Sequence, residues 1–371
     1  MIDLPKDGAK MKIKKLIFGF CLIGLTVVIC LAQNLHNVAG NGTNGNSGNG
    51  GIATNAQLAA QGVALDALGN MYIADEYASV IRRVDAITQI ITTVAGTGIA
   101  GYNGDSIQAN QAQLNLPLNV CLDTSGNLYI SDSQNNRVRK IIAQGGKITS
   151  ASIITTVAGD GTYALGSSTA GDGGPAINAQ LNHPVGIVVD TAGNLYIGDI
   201  GNHALRKVDT AGIISTIAGD PHHALVGSSG DNGQAQFALL FGPHGIALDT
   251  AGNLYFADSG NHRVRKIIAT GGQITKTCII KAFAGPVNGT LNGFSGDGGL
   301  AVNARLNLPM GVAVDSGGNV YISDRYNARI RKVDVSGIIT TIAGTGSFTP
   351  QLFGKWSCAE SCKLSTLSTG C

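Results

Sequence analysis

The stretch Ala192–Asp220, AGNLYIGDIGNHALRKVDTAGIISTIAGD, holds three short apolar runs separated by polar turns and no pattern of helical length. Leu195 to Asp199 alternates, so Leu195 and Ile197 share one face and Tyr196 takes the other. Ile200 to Asn202 turn the chain, Ala204 to Val208 form the next strand, and Ile213 to Ala218 form the last after a turn at Asp209 to Gly212. Just upstream, Gly186 to Asp190 is a near-continuous apolar run, as in a strand buried on both faces. Thr191 to Asn194 joins it to the rest and puts Gly and Asn where positive φ is cheap. Four strands with short turns predict an antiparallel meander.

The same text is written five times, as NMYIAD (70–75), NLYISD (127–132), NLYIGD (194–199), NLYFAD (253–258) and NVYISD (319–324). The closing Asp residues stand 57, 67, 59 and 66 positions apart, far longer than one coil of a parallel β-helix. A single four-stranded sheet cannot bury both faces, whereas copies arranged in a ring can, and a ring protects its edges. The expected fold is all-β, a β-propeller of four-stranded antiparallel blades over residues 53–346, with five complete blades. A six-bladed ring with an incomplete sixth blade is the alternative. Val38-Ala39-Gly40 reads as an isolated fourth strand, and 347–371 is a tail without repeat.

Fifty-three glycines in 371 residues, with 44% apolar residues, suit many short strands and tight turns. With 13% charged residues and a net charge of +2, nothing marks a nucleic-acid partner. Residues 1–33 differ from the rest: Lys6, Lys10, Lys12, Lys14 and Lys15 precede the apolar run Leu16 to Leu31. This reads as a signal peptide or, if uncleaved, an N-terminal membrane segment, so the expected location is secreted, periplasmic or cell-surface. Residues 34–52 read as a Gly/Asn-rich linker. Of the seven Cys, five lie beyond residue 33, Cys121, Cys278, Cys358, Cys362 and Cys371, an odd number and too few for a disulfide scaffold.

Each copy combines an apolar run ending in Asp, a Gly-Asn turn, a Tyr-containing strand ending in Asp, and then Asn-x-Arg-Val-Arg-Lys, most fully in DSGNHRVRKI (258–267). This pattern resembles the NHL repeat family. GDGGPA (171–176) is similar to the inter-blade loop of its bacterial secreted and teneurin-like members. The resemblance spans about residues 38–346. It implies a propeller, usually of six blades, used mostly for binding, with a minority of related propellers acting as lyases or lactonases.

Two sets recur once per unit: Asp75, Asp132, Asp199, Asp258 and Asp324, and, seven positions later, Arg82, Arg139, Arg206, Arg265 and Arg331. A site is usually made once and a scaffold device once per blade. Both sets therefore read as structural, the Asp accepting hydrogen bonds from its own turn and pairing with the Arg. Gly104-Asp105, Gly171-Asp172, Gly230-Asp231 and Gly296-Asp297 carry one carboxylate each, too sparse for a calcium loop, and lead into one helical turn. All of these motifs are expected on the face that holds the loops between blades. The innermost strands, read as Val63–Leu65, Val120–Leu122, Ile187–Val189, Ile246–Leu248 and Val312–Val314, offer neither carboxylate nor His, which argues against lactonase-type catalysis.

Six of the seven His cluster in one window: His183, His203, His222, His223, His244 and His262. They are expected near that loop face on the third and fourth blades, where three converging imidazoles would suit zinc. His203 and His262 share one offset, however, and so read as turn residues. No cofactor is expected and the metal question stays open at this stage. The expected function is a non-catalytic binding module for a protein or carbohydrate on the loop face. A metal-dependent lyase or hydrolase and a structural surface repeat are the alternatives. The oligomeric state is not legible.

Overall fold

Each of the five copies forms one antiparallel sheet with strands in sequential order. In the computed structural model, which describes residues 27–31, 34–149, 151–163, 170–219, 226–286 and 291–347, the fold is a five-bladed β-propeller. The innermost strands are Ala60–Leu65, Pro117–Leu122, Pro184–Val189, Pro243–Leu248 and Pro309–Val314. The second strands end at the five repeated Asp residues, the third carry the repeated Arg residues, and the fourth end in Ala-Gly. Helical structure among the described residues is limited to single 3-10 turns.

The hairpin between first and second strands is locked by a carboxylate. Asp190 Oδ1 accepts from the Asn194 N–H at 2.8 Å, and Oδ2 accepts from the Asn194 side chain at 2.8 Å and the Tyr196 hydroxyl at 3.1 Å. Asp249 and Asp315 repeat all three bonds. The five tyrosines Tyr72, Tyr129, Tyr196, Tyr255 and Tyr321 occupy equivalent, buried positions.

The Gly-Asp tracts are not open loops on the loop face, as the sequence reading had them. They run along the outer edge of the following blade. The Gly173 N–H donates to Ile214 O (2.8 Å), the Ile214 N–H returns to Gly174 O (3.1 Å), and the Ala176 N–H reaches Gly212 O (2.8 Å). Gly298, Gly299 and Ala301 do the same on the fifth blade. Each tract thereby covers the unpaired edge of a fourth strand, the place where exposed backbone would recruit other chains. The one-turn element expected after it is present, for instance as Ala176–Asn178 behind Pro175.

Separate apolar cores join blades one to two, two to three, three to four, and four to five. Another core joins the first blade to the N-terminal segment, where Ala39 meets Ala53, Ala56 and Leu58, all fully buried. There β1 (Val27–Leu31) and β2 (Asn34–Ala39) form a two-stranded sheet, so the strand at Val38 is paired. The five innermost strands surround a central cavity of about 300 Å³.

Candidate functional site

The repeated acids and bases are buried together. Arg206 has no exposed side-chain surface; its Nη1 lies 3.3 Å from Asp199 Oδ2 and its Nη2 lies 2.6 Å from Asp172 Oδ1. The other Asp199 oxygen accepts from the Asn182 N–H (2.7 Å) at the approach to the first strand, and Asn202 Nδ2 donates to Oδ2 (2.8 Å). One Asp therefore ties three strands, through its own turn as expected and also through a backbone group 17 residues upstream. Blades two and five repeat this cluster around Arg139 and Arg331. In the fourth blade Arg263 joins Arg265 on Asp231 and Asp258. Burial pushes the Asp132 carboxyl up to about 6, and those of Asp199, Asp258 and Asp324 in the same direction. The Gly-Asp carboxylates are engaged by these guanidinium groups, so the tracts serve the scaffold.

The first blade departs from the pattern. Asn49 stands where the other tracts have Asp, and Ala78 stands where the other turns have Asn. Arg82 keeps only Asp75, at 3.5 Å, and a long contact to Asn46 Oδ1, also 3.5 Å. Its Nε and Nη2 are buried without a hydrogen-bond partner among the described residues. Burial raises the Asp75 carboxyl to about 6.

Of the six histidines, His222 and His223 lie outside the described residues. His203 and His262 both sit at the left-handed end of the turn after the second strand, with φ of 52° and 54°. Their Nδ1 atoms accept the Gly242 and Leu308 N–H groups of the next blade at 3.2 and 3.1 Å. Asn136 does the same for His183 N–H at 3.0 Å, so this position staples neighbouring blades. His183 and Arg325 lie close enough to His244 to act on it electrostatically. Burial lowers the pKa values of His183 and His244 to about 4 and about 3. No group of three or more His, Cys, Asp or Glu suited to a metal ion occurs among the described residues.

The innermost strands begin three residues earlier than the sequence suggested, which corrects the statement that they lack His. His244, in the strand Pro243–Leu248, lines the cavity. The residue after the strand's first position gives a mouth ring of Gln61, Leu118, Val185, His244 and Met310, above walls of Val, Ile, Leu and Ala. The position after the repeated Asp frames this mouth. Ser133 and Ser259 donate there to Pro184 O and Pro309 O of the next blade, at 2.6 and 2.5 Å. The first blade has Glu76 instead, buried and hydrogen-bonded by the Gln61 amide, and the fifth has Arg325, whose Nη1 lies 2.7 Å from Met310 Sδ. Reading one column across all five copies would have exposed this asymmetry.

The loop face also carries the exposed aromatics: Tyr77, Tyr102, Tyr163, Phe241, Phe294 and Tyr326. Among the described residues Phe237, on an outer edge, is the one exposed aromatic elsewhere. Tyr102 stacks over Arg137 and Phe294 over Arg329, at 3.9 and 3.7 Å from ring centre to guanidinium carbon. Ile99, Val226 and Leu291 add exposed aliphatic surface to the same loops.

Comparison with known proteins agrees with this architecture. The family described as the Teneurin NHL domain matches residues 111–228 and 289–367, more than half of the chain, and the NHL repeat matches residues 242–267. Mouse (Mus musculus) Teneurin-4 is 31% identical over 272 residues, covering 65% of this chain and 9% of the relative. The chloroplastic Protein SUPPRESSOR OF QUENCHING 1 of Arabidopsis thaliana is 27% identical over 285 residues, covering 74% of this chain and 25% of the relative. Among solved structures, a gluconolactonase of Xanthomonas campestris superposes with a TM-score of 0.48 at 14% identity, covering 77% of this chain and 76% of that one. The chain thus spans a quarter or less of the length of these two relatives.

Proposed function

The chain belongs to the teneurin NHL domain family, and from that premise we propose that it is a non-catalytic recognition module whose loop face binds a protein or carbohydrate ligand outside the cell. The observation that carries this reading is the placement of exposed aromatics. All but one of those described lie on the loop face, most of them in the long segments that join one blade to the next. Exposed Tyr and Phe supply large contact area at small entropic cost and are enriched where proteins bind. The repeated charged groups are buried and neutralise one another, which leaves the non-repeating surface to discriminate between ligands. Export rests on the lysines and apolar run of residues 1–33.

The rival reading is a metal-dependent lyase or hydrolase in the channel. Gln61, Asn119 and His244 line the cavity, and the carboxylate at its mouth, Glu76, is buried and held by the Gln61 amide, which supports a structural role for it better than acid–base work. Arrays of glycans and of cell-surface proteins, probed with the purified chain, test the proposal. Specific binding is expected, weakened at least tenfold in a Tyr102→Ala, Phe294→Ala double variant that melts like the parent. Binding that ignores this double substitution would refute the loop-face assignment.

A further inference from the structure

In blades two to five the Nη2 of the repeated Arg lies 2.9, 2.6, 2.7 and 2.7 Å from the carboxylate of the Gly-Asp tract. The Nη1 of the same group faces the repeated Asp, at 3.3 Å in blades two, three and five. Blade one keeps only the second of these contacts. Arg82 Nη1 faces Asp75 at 3.5 Å, so Nη2 is turned to the tract as in the other blades. Arg82 is fully buried, and its Nη2 and Nε have no hydrogen-bond partner among the described residues. Nη2 is the informative atom, because Nε is left over in blades two and three as well.

Asn49, in the place of the tract Asp, explains the difference. Its Oδ1 accepts the Thr93 N–H at 2.6 Å, as Asp172 Oδ2 accepts the Thr216 N–H at 2.9 Å. The end of the amide left for Arg82 is therefore a donor, and two donors cannot satisfy one another. The charge differs too: blade three sets two carboxylates on one guanidinium, blade one sets one. Solvent reaches this place. The tract carboxylates of blades two, three and five are 34%, 28% and 38% exposed, and Asn49 is exposed.

We propose that blade one binds a small monovalent anion at this place, a carboxylate or a halide, between Arg82 Nη2 and the Thr93 N–H, with the Asn49 side chain turned out to solvent. The other four blades supply the template, since each seats one carboxylate there on the same guanidinium nitrogen. A hydrogen bond between a guanidinium and an anion is among the strong ones in proteins, and here it satisfies a buried donor. Size and charge are both limited. The ligand stands in for a single Asp headgroup. Asp75 lies on the other side of the guanidinium, so a doubly charged oxyanion is repelled more strongly than a single charge.

The probe is sodium formate, a carboxylate with nothing attached, titrated into the full chain while the melting temperature is followed. A saturable rise of about 3 °C is expected when formate stands tenfold above its dissociation constant. Asn49→Asp should melt higher than the parent without formate and lose the saturable response. Asn49→Ala, which clears the amide away, should keep the response and bind formate at least threefold more tightly. Sodium sulfate at matched ionic strength should act on the parent and on Asn49→Asp alike. A saturable chloride response that Asn49→Asp abolishes would support the proposal with a halide as ligand. No saturable response of the parent to either anion overturns it. So does a response that the parent and Asn49→Asp share, because it would mark a general effect of salt.

Discussion

Blade three and blade one solve the same problem with different parts. Both bury an Arg completely in the middle of a sheet. Blade three surrounds Arg206 with Asp199 and Asp172, and braces Asp199 with Asn202. Blade one leaves Arg82 with Asp75 as its one carboxylate and a long contact to Asn46, because Asn49 and Ala78 have replaced the second acid and the bracing amide. The backbone course is the same in both, with identical strand pairing from the repeated Asp to the Arg. Packing and hairpin geometry therefore build the sheet, and the ion cluster adds stability to a sheet that already exists.

The largest expected effect separates the two blades directly. Arg206→Met leaves two carboxylates without their cation and should cost about 3–5 kcal/mol, the range for breaking a buried ion pair. Arg82→Met abandons one carboxylate and removes an under-satisfied guanidinium, so its cost should be about 1–3 kcal/mol. Urea unfolding of both variants checks this, and equal losses would show that the second acid contributes nothing. Completing blade one with Asn49→Asp and Ala78→Asn should stabilise by about 1 kcal/mol per restored charged contact. That would raise the melting temperature by about 2–4 °C for each kcal/mol. A fall in melting temperature would mean that burying another carboxylate beside Arg82 costs more than it returns.

A smaller effect distinguishes staples that titrate from those that do not. His203 accepts a backbone N–H only when neutral, and burial holds its pKa near 4, below the ordinary 6.5. A histidine pKa depressed by folding gives stability that is complete above about pH 6.5 and lost as pH falls towards 4. Asn136 performs the same task without titrating. His203→Asn should therefore match the parent at pH 7.5 and exceed it in melting temperature at pH 5. Parallel melting curves for the two proteins across that range would remove His203 from the pH response.

Most of the fold was legible in the sequence because it is written repeatedly. The five Asn-x-Tyr-x-x-Asp strings place second strands, hairpins and buried tyrosines at once. The Asp–Arg pairing followed from their constant offset. What escaped lies outside single strings. The Gly-Asp tracts looked like surface loops because their partners, such as Ile214, come about 40 residues later and belong to an edge that only the folded blade possesses. The mouth ring was missed because the innermost strands start three residues before the apolar runs that marked them, and Glu76 and Arg325 stand out only when the copies are stacked. The pairing of β1 with β2 escaped because Val27–Leu31 belongs to the apolar run that reads as an export segment.

The central claim is that the repeated groups build the ring while the non-repeating loop face recognises the ligand. Hydrogen–deuterium exchange of the chain, with and without the strongest ligand from the arrays, tests it most directly. New protection is expected in the loops carrying Tyr102, Tyr163 and Phe294, with the turns at Asp66–Asn70 and Asp315–Asn319 on the opposite face unchanged. Protection confined to those turns, or to the outer-edge Gly-Asp tracts, would contradict the account.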